Sequence, residues 1–98
     1  MGLTFVLKSM TKNQREIIKI IAKYLLDHPL EKGITIKDLY ELCVDATVAT
    51  SQKGLKDSLN EAKDHKVVHE KTDDQGHQML TMTYPVVLLE KIANDELN

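Results

Sequence analysis

The apolar positions of this chain change their spacing as the sequence runs, and each change marks an element. Leu3 to Met10 is mostly apolar with a single lysine and predicts a short helical lead-in. Ile17, Ile20, Ile21, Tyr24 and Leu25 then recur at the i, i+3, i+4, i+7 spacing of a helix with one buried face. Thr11-Lys12-Asn13-Gln14 opens that helix with a capping box, in which the threonine hydroxyl accepts from an orphan amide and the glutamine reaches back. His28-Pro29 ends it, because proline disfavours helical geometry in the residue before it.

Glu31-Lys32-Gly33 predicts a turn, with a short strand beginning at Ile34. Thr35 to Asp38 is a second capping signal, with an acid in the first turn where the helix dipole favours it. Leu39, Leu42 and Cys43, with Ile36 one turn earlier, give the second helix its buried side. Asp45 to Thr50 alternates small and β-branched residues and predicts the turn. Ser51 caps a third helix with Leu55, Leu59 and Ala62 facing inward, its first turn slightly weakened by Gly54.

After His65 the period falls to two. Lys66–Thr72 and His77–Tyr84 predict a hairpin around Asp73-Asp74-Gln75-Gly76, with Leu80, Met82 and Tyr84 toward the core. Pro85 suits the first position of a closing helix whose apolar side is Val86, Leu89, Ile92 and Ala93; Asp95-Glu96 predicts a frayed acidic end. Helix, turn, helix and hairpin in that order, over Gly33 to Tyr84, predict an α+β winged helix-turn-helix. It has a three-helix core, a β-hairpin wing and a C-terminal helix. Winged helices bind DNA, bind proteins or pack as scaffolds, so fold alone does not choose between these.

Ninety-eight residues make one domain, residues 1–98, large enough to bury a core. Its abrupt helical start predicts the C-terminal part of a longer chain. Cys43 is the single cysteine, which excludes an internal disulfide and predicts a reducing compartment. No apolar run approaches the roughly 20 residues that cross a bilayer, so no membrane partner is expected. Up to Leu26 five basic residues face one acid, an excess of four; from Asp27 onward eight face fourteen, a deficit of six. A polyanion would therefore meet the first helix rather than the last.

Four segments carry a resemblance: SMTKNQREIIKIIAKYLLD (Ser9 to Asp27), GITIKDLYELC (Gly33 to Cys43), SLNEAKDHKVV (Ser58 to Val68) and MLTMTYPVVLLEKI (Met79 to Ile92). Together they cover most of the chain, and the ordered set resembles the C-terminal winged-helix domain of the second subunit of the eukaryotic origin recognition complex. That resemblance implies a nuclear protein with this domain after an ATPase-like module. It also implies a ring of related subunits that encircles origin DNA and loads the replicative helicase. The partners it implies are the other subunits, duplex DNA and the helicase; the isolated domain is expected to be a monomer.

The third helix is the recognition helix of such a fold, with Ser51, Gln52, Lys53 and Lys56 near its start and Lys63 near its end as DNA-contact candidates. Lys53, Lys56 and Lys63 are matched by Asp57, Glu61 and Asp64, and no arginine is present for bidentate reading of guanine. The wing offers His69, Lys71 and His77 against Glu70, Asp73 and Asp74, all within a Debye length of about 8 Å. Lys12, Arg15, Lys19 and Lys23 share one side of the first long helix, either as a solvated face or as a contact for DNA backbone or an acidic partner. His65 and His69 are four apart, but only one continuous helix would make them a metal pair, and no cofactor is expected. Cys43 lies on an apolar helix side, and no phosphate loop or nucleophile elbow occurs, so an enzyme is not expected. The leading reading is a non-catalytic replication-initiation module that packs against other subunits and touches DNA weakly and without sequence preference. The alternatives are a stand-alone DNA-binding transcription regulator and a pure scaffold.

Overall fold

A computed structural model describes residues 2–48 and 51–96. Its elements are α1 (Leu3–Ser9), α2 (Lys12–Asp27), β1 (Ile34–Thr35), α3 (Ile36–Asp45), α4 (Gln52–Asp64), β2 (His69–Thr72), β3 (Gln78–Thr81) and α5 (Val86–Ala93). The sheet is antiparallel in the order β1-β3-β2, and α2 is the hub, packed against α3, α4, α5, β1 and β3. This is the α+β winged helix the pattern predicts, with α2, α3 and α4 as the three-helix core, α1 ahead of it and α5 behind.

The three capping signals all form. Thr11 and Gln14 make both halves of the capping box of α2, the Thr35 hydroxyl accepts from Asp38 N–H at 3.1 Å, and the Ser51 hydroxyl accepts from Gly54 N–H at 3.1 Å. The end of α2 falls at Asp27 with His28 as its C-cap, as His28-Pro29 predicts, whereas the closing turns of the later helices were not legible in advance. α3, α4 and α5 each close with the paired amide bonds of a Schellman turn, around Thr47, Lys66 and Asp95 at φ 57°, 61° and 60°. None of the three is glycine. Asp95 and Glu96 therefore belong to a closed turn rather than a frayed end, and Val67 and Val68 are buried behind α4 instead of starting β2. Of the predicted turn Asp45 to Thr50, the last two positions lie outside the described residues.

Several predicted faces are rotated or narrowed. The buried side of α2 is Ile17, Ile18, Ile21 and Ala22, with Ile20, Tyr24 and Leu25 only half-buried. Leu42 is 39% exposed, since Leu39 and Cys43 already fill the inward side of α3. Val86 is exposed and Pro85 stands at the N-cap of α5, one residue before the position expected. Strict alternation fails in β3, where Met79, Leu80 and Thr81 are all buried in a central strand paired along both edges. Gly33 sits beneath it: a Cβ there would lie 2.5 Å from the Leu80 carbonyl oxygen, so the approach of β1 to β3 needs glycine.

Candidate nucleic-acid interface

With Leu55, Leu59 and Ala62 turned into the core, α4 presents Gln52, Lys53 and Lys56 to solvent. Lys56 lines a groove of about 340 Å³ between the recognition helix and the wing, together with Lys37 at the start of α3 and Gly76, His77 and Gln78 of the wing. Neither Lys37, Lys53 nor Lys56 has an acidic partner within ion-pair distance among the described residues. Lys37 is the contact candidate that sequence reading missed. Its signal was available: a basic residue beside the Thr35 cap, in a helix turn whose amides already favour an anion. Ser51 is committed locally, its hydroxyl oxygen occupied as the cap acceptor.

Strand register separates the other candidates. Residues paired across a ladder share a face and successive residues alternate. Glu70 pairs with Leu80, which pairs with Ile34, so Glu70 faces the helices. There its Oε1 meets Lys63 Nζ at 2.6 Å, a part-exposed pair that offsets the positive charge of Lys63 within the chain. His69 and Lys71 pair with Thr81 and Met79 and lie on the opposite face, away from α4. Of the wing residues His69, Lys71 and His77, His77 is the one that lines the groove.

The acidic wing tip is also partly spent. One Asp73 oxygen accepts from Gln75 N–H at 2.9 Å and His77 N–H at 2.8 Å, and the other lies 3.1 Å from His77 Nδ1. The His77 amide above all, with that of Gln75, holds the Asp73 carboxyl below the usual carboxylate range. Gly76, at φ 85°, completes the turn. Asp74 is the acid left facing solvent.

The four residues of the predicted α2 stripe differ in their surroundings. Arg15 donates to the Met10 carbonyl at 2.8 Å and the Leu7 carbonyl at 3.4 Å, bracing the end of α1. Lys19 lies 3.4 Å from Glu16 and 4.0 Å from Asp95. Lys12 and Lys23 are exposed.

Among the described residues, no group of three His, Cys, Asp or Glu side chains is placed to hold a metal, and His65, the C-cap of α4, pairs with Glu61 at 3.3 Å. Burial pushes the Cys43 thiol up to about 11, which leaves it a protonated core residue.

Known proteins align with this geometry. A family model described as ORC2 WHD matches residues 26–86. Origin recognition complex subunit 2 of Homo sapiens is 36% identical over 82 residues, covering 81% of this chain and 14% of that protein. Origin of replication complex subunit 2 of Oryza sativa subsp. indica is 31% identical over 90 residues, 92% of this chain and 24% of that protein. The chain thus spans a minor part of these relatives. Among solved structures, a Drosophila ORC chain, in a structure described as bound to AT-rich DNA and Cdc6, superposes with a TM-score of 0.81 at 34% identity. The match covers 93% of this chain and 30% of that one. MepR, a transcription regulator of Staphylococcus aureus, matches with a TM-score of 0.60 at 16% identity, covering 90% of this chain and 58% of that one, a likeness of fold alone.

Proposed function

Because the chain belongs to the winged-helix family of origin recognition complex subunit 2, we propose that it is a non-catalytic docking module for DNA replication initiation in the nucleus. It packs against other subunits of the origin recognition complex and touches duplex DNA weakly, through phosphates. The observation that carries the DNA part is the composition of the α4–wing surface. Lys37, Lys53 and Lys56 have no ion-pair partner among the described residues and are free to meet a phosphate backbone, while Lys63 pairs with Glu70. Base edges are read best by bidentate arginine or amide side chains; α4 offers no arginine and only Gln52 in its first turn. Phosphate contacts position a protein without specifying sequence. The match of the Drosophila ORC chain, from a structure that includes DNA, supports placing the domain in such a setting.

Anisotropy titration of this chain against AT-rich and GC-rich duplexes of equal length tests the reading. Three lysine–phosphate contacts give a salt slope near −2.7, at roughly 0.9 per contact. Equal, micromolar or weaker binding of both duplexes is expected. Sub-micromolar binding of one duplex that persists at 200 mM salt would overturn it in favour of autonomous sequence recognition.

A further inference from the structure

Arg15 and Lys19, half of the predicted α2 stripe, open onto a cleft of about 310 Å³ shared with α1 and α5. Its floor is apolar: Leu7, Ile18 and Ile92 are all buried. Its rim carries four positive charges, with Lys8 from α1 and Lys91 from α5 joining Arg15 and Lys19, against Asp95 in the lining and Glu16 beside Lys19 at 3.4 Å. Lys8 and Lys91 have no ion-pair partner among the described residues. Arg15 is held by the neutral Leu7 and Met10 carbonyls, which fix its position without cancelling its charge. A guanidinium has five N–H donors, so further donors remain for a ligand.

Two features choose the occupant. A duplex backbone presents phosphates but nothing apolar to cover the floor, and the cleft has the volume of a side-chain site, at the small end of the roughly 300–1,000 Å³ typical of ligand pockets. A carboxylate is already stationed at the rim, since Asp95 Oδ2 lies 4.0 Å from Lys19 Nζ. We infer that the cleft between α1, α2 and α5 is a docking site for an acidic peptide segment of a partner protein. One apolar side chain sits on Leu7, Ile18 and Ile92, and flanking carboxylates pair with Lys8, Arg15, Lys19 and Lys91. Asp95 competes from within for Lys19. The cleft uses elements other than α4 and the wing, so it stands whether or not that surface touches DNA.

The test uses this chain and a fluorescein-labelled synthetic peptide of about twelve residues in which Leu and Phe alternate with Asp and Glu. A second peptide has serine at every Leu and Phe. The first peptide is expected to bind, and Lys8→Glu with Lys91→Glu, both on exposed side chains, to weaken it about tenfold or more, as reversing close charge pairs does. Asp95→Asn, which keeps a residue tolerant of its left-handed backbone, is expected to tighten binding two- to threefold. Lys53→Glu with Lys56→Glu should leave it unchanged. Absence of binding, equal binding of the serine peptide, or indifference to the Lys8 and Lys91 reversals would each overturn the assignment.

Discussion

Lys63 Nζ and Glu70 Oε1 lie 2.6 Å apart, joining the last turn of the recognition helix to the first strand of the wing. The pair is part-exposed and adds little stability, since surface ion pairs contribute about 0–1 kcal/mol. Its larger effect is on charge, because it removes one of the three lysines of α4 from the outward field. Glu70→Gln should free Lys63, raising duplex affinity about two- to threefold at 50 mM salt and steepening the salt slope by roughly one. Lys63→Ala should change affinity little. The same anisotropy titration checks both.

Gly33 is fixed by the strand that crosses it. Gly33→Ala places a methyl 2.5 Å from the Leu80 carbonyl oxygen, against backbone that cannot rotate away. A loss of about 1–3 kcal/mol is expected from overpacking of this kind, read as the shift in a urea unfolding midpoint. Gly54→Ala, whose methyl meets only the Ser51 hydroxyl at 3.2 Å, serves as the comparison and should be far milder.

Thr47 occupies the left-handed turn after α3 at φ 57°, where a β-branched residue is strained. Thr47→Gly should stabilise the domain by about 1 kcal/mol, the order of the left-handed penalty for L residues. Thermal unfolding would report it as a higher midpoint.

Cys43 titrates far later in the folded chain than in the unfolded one, where a thiol ionises near about 8.5. An acid whose pKa is raised by folding leaves stability intact below the unfolded value. Stability then falls as pH climbs from there toward the folded value of about 11. A Cys43→Ala chain should lose that alkaline decline, seen as urea midpoints at pH 7 and pH 10. Native Cys43 should also resist a thiol reagent until the chain unfolds.

Local chemistry and the order of the elements were readable from the sequence; strand register and the detail of packing were not. Thr11, Thr35 and Ser51 announce their helices because a cap needs only a hydroxyl and the next few amides. Leu55, Leu59 and Ala62 fix the inward side of α4 by spacing alone. Ile18 and Ala22 escaped notice because α2 is packed on several sides, so its buried arc exceeds the single stripe that periodicity reports. For the candidate surface, the outward position of Lys53 and Lys56 follows from the helix period. The capture of Lys63 by Glu70 depends on strand register, as does the placing of His69 and Lys71 on the far face. Lys37 enters the groove only once α3 and the wing are brought together.

In the proposed function, DNA is met weakly, by phosphate-directed lysines of α3 and α4. Salt-dependent titration of the Lys37→Glu, Lys56→Glu chain beside the natural sequence tests it most directly. Loss of measurable duplex binding, with Lys12→Glu, Lys23→Glu binding as before, is the expected result. Unchanged affinity in the first variant, or loss confined to the second, would contradict it and move the DNA contact to α2.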